Sequence, residues 1–139
     1  MLASVTVRAP AKVNLALAVG PRRDDGFHDL ATVFHAVSLY DDLVATPLAP
    51  GSGTQIVVEG DHSDEVPVDA SNLAAKAVQA MLDYGGSADV SLTIGKGIPV
   101  AGGMAGGSAD AAAALVAIDA LYELGLSREE LHEVAATLG

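Results

Sequence analysis

Residues Pro99, Val100, Ala101, Gly102, Gly103, Met104, Ala105, Gly106, Gly107, Ser108, Ala109 and Asp110 combine the types and spacing needed to hold an anion. They run directly into Ala111-Ala-Ala-Ala-Leu-Val-Ala-Ile, a strongly helical segment. Glycine lets the backbone turn its N–H groups toward a ligand with no Cβ in the way. A helix start leaves several N–H donors unpaired and carries a partial positive charge. Together these features bind anions, most often phosphate. A plain glycine loop before a capped helix has the same composition, so other residues must discriminate. Ser108 and Asp110 are candidate caps for that helix. Their oxygens could also meet a phosphate or Mg²⁺.

Several familiar loops are excluded. No Gly-Lys-[Ser/Thr] follows the glycines, so this is not a Walker A loop. The glycines are adjacent pairs, Gly102-Gly103 and Gly106-Gly107, and do not follow G-x-G-x-x-G. Gly106-Gly107-Ser108-Ala109-Asp110 lacks the last glycine of a serine nucleophile elbow.

A second group lies near the N-terminus. Lys12 is one of three lysines and sits inside an apolar stretch, where desolvating a charge is costly. It either snorkels to solvent from a strand edge or stabilises charge developing on a substrate. Asn14 shares its face if the segment is a strand. A third group, Phe27 and His28, follows Gly26 in a charged turn. An exposed aromatic beside a polar ring suits a flat heterocycle, although such a ring can also pack back on the core. His62 stands in an acidic loop and reads as solvated, while His35 and His132 read as structural or exposed.

Three motifs in chain order carry a specific resemblance. Pro99 to Ala112 resembles the ATP loop of the GHMP kinase family. Ala9-Pro10-Ala11-Lys12-Val13-Asn14-Leu15 resembles that family's first motif, and Asn72-Leu73 matches in position. Asp25-Gly26-Phe27-His28-Asp29-Leu30 is similar to the motif of one branch, whose acceptor is 4-diphosphocytidyl-2-C-methyl-D-erythritol. The resemblance implies transfer of the ATP γ-phosphate to the 2-hydroxyl of that compound, with Mg²⁺ as cofactor. It implies a catalytic role for Lys12 and acceptor contacts for Asn14. Phe27 and His28 would lie at the cytosine, and residues 99–109 would bind ATP. The branch often has tyrosine where Phe27 stands, so stacking is kept and a hydroxyl is lost.

The elements that must position these groups can be read from patterning. Ser4–Arg8 and Lys12–Val19 read as strands separated at Pro10. In the second, Val13, Leu15, Leu17 and Val19 alternate with Lys12, Asn14, Ala16 and Ala18, which predicts one apolar face. Val33–Tyr40 and Leu43–Thr46 read as strands joined at Asp41-Asp42, and Gln55–Glu59 as a short strand. Ser71 or Asn72 caps a helix from Leu73 to about Tyr84, which Gly85-Gly86 ends. Ala88–Ile94 reads as a strand, and a helix runs from about Ala109 to Leu124. Ser127 and Glu130 form a capping box for a last helix reaching Gly139. Early strands and late helices predict an α+β domain with helices on one face of a mostly antiparallel sheet. The resemblance implies the same: the N-terminal GHMP domain, similar to the ribosomal protein S5 domain 2 fold.

Composition sets further bounds. The 139 residues predict one domain, half of them apolar, with few aromatics. A net charge of −11 opposes a nucleic-acid surface but not a nucleotide held by backbone N–H groups. There are no cysteines, hence no disulfide and no thiolate metal site. No apolar run is long enough to span a membrane and no signal peptide is visible, so a cytoplasmic protein is expected. Small-molecule substrate and ATP are the expected partners, with no nucleic acid and no membrane; oligomeric state is left open. The family's catalytic aspartate follows a Thr-Leu-Gly like Thr137-Leu138-Gly139, so the general base is expected beyond Gly139. On this reading residues 1–139 are the N-terminal ATP-binding domain without its C-terminal partner domain, inactive alone, with apolar surface exposed on the last helix. Two alternatives stand beside it: another GHMP small-molecule kinase, and a nucleotide-binding module that does not catalyse.

Overall fold

The computed structural model describes residues 1–139. Four strands form one sheet: β1 (Val5–Arg22), β2 (His28–Pro47), β3 (Gln55–Gly60) and β4 (Val90–Lys96). Three helices follow the strands or interrupt them: α1 (Leu73–Met81), α2 (Gly106–Leu121) and α3 (Arg128–Ala136). Strand order is β1-β2-β4-β3. β1 with β2 and β2 with β4 are antiparallel, while β3 runs parallel to β4 after the crossover through α1. The α+β class and the mostly antiparallel sheet are as predicted. No helix is long and apolar enough to cross a membrane.

The core lies between one face of the sheet and the helices. Leu43 and Ala45 on β2 and Val90, Leu92 and Ile94 on β4 meet Val78 and Met81 of α1 and Leu115, Ile118 and Leu121 of α2. Each such aliphatic side chain contributes about 1.5–3 kcal/mol on burial. Ala9 and Ala11 on β1 are buried, as are Ala111, Ala113, Ala114 and Ala117 on α2. Small side chains let the α2 backbone lie close to the sheet, and alanine is also the strongest helix former. The scarcity of aromatics is met by close approach rather than by large rings.

Termini follow local rules with two exceptions. The Asn72 side chain accepts from the Ala74 N–H and starts α1. Gly85, at φ 98°, ends the turn after it. The Ser127–Glu130 capping box is formed. Helix α2, however, begins at Gly106, three residues before the predicted start, and its cap position is Ala105 with no side-chain cap. Ser108 and Asp110 are therefore inside the helix and cap nothing. Helix α3 ends at Ala136, short of the last residue, with Thr137 turning back to the Val134 carbonyl.

Two long strands replace the four shorter ones predicted. Pro10 does not break β1; it sits at a register shift between Pro10 and Ala11. Asp41-Asp42 does not break β2, because Asp41 is buried and Arg8 pairs Asp42 across the strands. The predicted apolar face of β1 is also corrected. Asn14 pairs with Phe34, but Ala16 pairs with Val33, so Leu15 is an extra residue in a bulge. A bulge moves every later side chain to the opposite face. Leu17 and Val19, opposite Thr32 and Leu30, thus join the face of Lys12 and Asn14. Nothing covers this half of the hairpin: Leu15, Leu17, Val19, Leu30, Val33 and Phe34 are 53–65% exposed.

Candidate active site

The glycine loop between β4 and α2 is held in a strained, concave form. Ala101, Gly103 and Ala105 have φ of 55°, 69° and 59°, each separated by a residue of ordinary φ. A non-glycine residue in this region costs roughly 1–2 kcal/mol. Alternating left-handed and ordinary residues are the pattern of an anion-binding nest, in which successive N–H groups face one side. The first turn of α2 adds its unpaired N–H groups and the positive end of its dipole. The loop lines a cavity of about 380 Å³, a size suited to a small ligand. Asn72 and Leu73 form part of its opposite wall, beside Glu65, Val66 and Pro67.

Beneath the loop lies a buried ionic cluster that sequence reading missed. Lys96 Nζ, at the end of β4, donates to Asp41 Oδ2 at 2.5 Å and to Asp110 Oδ2 at 3.0 Å. All three side chains are at most 4% exposed. Asp41 Oδ1 also accepts from the N–H groups of Gly97 and Ile98, both at 2.8 Å. The cluster thus ties β2, β4 and α2 to the start of the loop. Asp110 Oδ1 has no partner. Burial, helped by the neighbouring Asp41 carboxylate and opposed by Lys96, pushes the Asp110 carboxyl up to about 7. Burial alone would also raise Asp41, but the neighbouring Asp110 carboxyl and hydrogen bonds from Lys96, Ile98 and Gly97 hold it below the usual carboxylate range. Burial opposes charge on Lys96, and the two carboxyls more than offset it and raise its pKa. Losing one member of such a cluster typically costs 3–5 kcal/mol, because a buried charge is left alone. The available signal was a lysine flanked by Gly95 and Gly97 just before the loop. Nothing in the pattern marked Asp41 as its partner.

Lys12 is joined to the loop from the other side. Its backbone N–H donates to the Met104 carbonyl at 3.2 Å, and Nζ donates to the Gly103 carbonyl at 3.1 Å. Nζ also donates to Asn14 Oδ1 at 2.8 Å and lies 5.4 Å from the centre of the Phe34 ring. Sequence reading paired Lys12 with Asn14 but missed Phe34. An ammonium carries three protons, so one is left for a ligand.

Phe27 and His28 stand at the far end of the hairpin. Arg23 fixes this turn by pairing with Asp25 and Asp29, and Asp25 accepts from the Phe27 N–H. Gly26 takes φ 85°, which the turn requires. Phe27 is 68% exposed and does not pack back on the core. His28 Nδ1 lies 2.7 Å from the Gly20 carbonyl, which can only accept, so the neutral ring keeps Nε2 as an acceptor. Ten residues of strand separate Lys12 from Arg22, a contour of roughly 33 Å, which the register shifts bend. The tip pair is not in contact with Lys12 or with the loop.

Asp110 borders the loop cavity but is buried, with Oδ2 bonded to Lys96 and a carboxyl held toward its neutral form, so it is a poor Mg²⁺ ligand. Ser108 is exposed in the first turn of α2.

Comparison with known proteins agrees with this geometry. Residues 72–139 match the family model described as the GHMP kinases N terminal domain. A 4-diphosphocytidyl-2-C-methyl-D-erythritol kinase from Streptomyces coelicolor is 61% identical over 137 residues, covering 98% of this chain and 45% of its own. One of the same name from Thermobifida fusca is 59% identical, with 98% and 46% covered. This chain therefore spans about half the length of these curated relatives. A crystal structure of 4-(cytidine 5'-diphospho)-2C-methyl-D-erythritol kinase superposes with a TM-score of 0.72 at 38% identity, covering 97% of this chain and 46% of that one. A homoserine kinase from Cytophaga hutchinsonii shares the fold alone, at TM-score 0.70 and 20% identity. With an anion nest, an adjoining lysine and these relatives, the chain belongs to the GHMP kinases and carries their N-terminal domain.

Proposed function

We propose that residues 1–139 form the N-terminal, nucleotide-binding part of a kinase that transfers the ATP γ-phosphate to the 2-hydroxyl of 4-diphosphocytidyl-2-C-methyl-D-erythritol. The observation that carries this reading is the 3.1 Å bond from Lys12 Nζ to the Gly103 carbonyl. It sets an ammonium with one free proton at the edge of a phosphate-shaped loop. Asn14, bonded to the same ammonium and facing away from the loop along β1, is a group that a module binding nucleotide alone does not need.

Phosphoryl transfer demands positioning and charge stabilisation more than covalent chemistry. The N–H groups of residues 101–107 cradle the phosphates. Lys12 then stabilises the charge that shifts between donor and acceptor oxygens. Asn14 holds Lys12 and borders the acceptor. The exposed strip of Leu17, Val19 and Leu30 leads from Lys12 toward the hairpin tip. There Phe27 offers a face for stacking, and His28 Nε2 accepts a hydrogen bond from an amino group such as that of cytosine. Mg²⁺, when bound, neutralises phosphate charge, and Ser108 is the side chain suited to hold it with the nucleotide's own oxygens. The general base is expected beyond Gly139.

The test is ATP-dependent phosphate transfer by the full-length protein, with the cytidine compound offered beside mevalonate and homoserine. Transfer to the cytidine compound alone is expected. Nucleotide binding without transfer to any acceptor would refute the kinase reading in favour of a non-catalytic module.

A further inference from the structure

Thr32 has no role in the reading above, yet its hydroxyl determines how Lys12 points. Thr32 lies on β2, two residues from Phe34 and on the same face. Its Oγ1 donates to the Ala16 carbonyl at 2.8 Å. A hydroxyl has one proton and a carbonyl can only accept, so that proton is spent. Toward Asn14, 2.8 Å away, Oγ1 can therefore act only as an acceptor. That fixes the Asn14 amide with Nδ2 toward Thr32. The reversed amide would set two acceptors against each other. With Nδ2 so placed, Asn14 Oδ1 must face Lys12 Nζ. Gly103 takes a second ammonium proton, and the direction of the third is then set.

The bulge at Leu15 lies within this chain of bonds, between Asn14 and the Ala16 carbonyl that takes the Thr32 proton. A bulge that re-aims side chains beside a site is a recurrent device.

We propose that Thr32 is a positioning residue for phosphoryl transfer, orienting the Lys12 ammonium through the Asn14 amide. The inference rests on the kinase reading. Thr32 touches neither the nucleotide loop nor, on this geometry, the reacting atoms.

The experiment compares Thr32→Val and Thr32→Ser in the full-length protein, using ATP and the cytidine compound. Valine keeps the β-branch and the strand preference and removes only the hydroxyl. Its kcat should fall on the order of 10- to 100-fold, as small misplacements of catalytic groups do. The KM for ATP should stay within about twofold, because the loop is untouched. Serine, which restores the hydroxyl, should return kcat to within about threefold of the parent. In an Asn14→Ala background, Thr32→Val should have no further effect, since residues acting in series are not additive. An unchanged kcat in Thr32→Val, or a full additional loss in the Asn14→Ala background, would overturn the inference alone. A parent protein that phosphorylates no acceptor would overturn the kinase reading, and this inference with it.

Discussion

Replacing Asp110 by asparagine should remove a specific part of the protein's pH dependence. The side chain is buried, one oxygen has no partner, and its carboxyl is pushed up to about 7. In the unfolded chain the same group titrates near 3.8. Between these values the native state holds a proton that the unfolded state has lost. Stability from this group is therefore complete below the lower value and is lost as pH rises toward 7. One unit of difference is worth about 1.4 kcal/mol, and the slope flattens as the native group titrates near 7, so the loss from pH 5 to pH 7 is about 2 kcal/mol. Asparagine is a neutral mimic of the protonated acid and keeps an acceptor for Lys96. Urea unfolding at half-unit steps from pH 5 to pH 8 gives the assay. The parent should lose about 2 kcal/mol relative to Asp110→Asn by pH 7 and little more by pH 8. Titrating groups outside the Asp41–Lys96–Asp110 cluster cancel in the difference. A difference that stays within about 0.5 kcal/mol across the range would refute the reasoning, because Asp110 would then be ionised throughout.

Lys12→Ala in the full-length protein should cut turnover by orders of magnitude and leave the ATP dissociation constant within a few-fold; unchanged turnover removes Lys12 from the chemistry. Gly107→Val should weaken ATP binding without lowering the melting temperature much, since a Cβ there meets only Leu73, at 3.7 Å. Normal ATP affinity measured by calorimetry would sink the loop assignment. Gly97→Ala should cost about 2 kcal/mol or more in urea unfolding, because its Cβ would collide with the Tyr40 backbone carbonyl. A neutral outcome would mean that β2 and β4 can part there at no cost.

Much of the site could be read from residue types, because backbone geometry leaves a compositional trace. Paired glycines before an alanine-rich run marked the loop, and the lysine-asparagine spacing placed two polar groups on one strand face. Caps such as Asn72 and Ser127 are local and were equally legible. What stayed hidden depends on partners far away in sequence. Asp41 looks like a turn residue until Lys96 and two N–H groups converge on it. Asp110 looks like a cap until the left-handed Ala105 starts the helix earlier. The bulge at Leu15 leaves no sign in the alternation of residues, yet it decides which apolar side chains share a face with Lys12. Phe34 and Thr32 join the site from the neighbouring strand, Phe34 by pairing with Asn14 and Thr32 by sharing its face of β2.

The two bonds from Lys12 to the glycine loop make the β1–β2 hairpin a lever with its fulcrum at residues 103 and 104. Any tilt of the strand at Lys12 is also a displacement of the loop carbonyls. Whatever binds at Phe27 and His28 works on the long arm, and whatever binds the loop works on the short one. Thermodynamic reciprocity then demands a shared coupling: the affinity that loop occupancy adds at the tip equals the affinity that tip occupancy adds at the loop. The order in which two ligands arrive can change, but the synergy between them cannot.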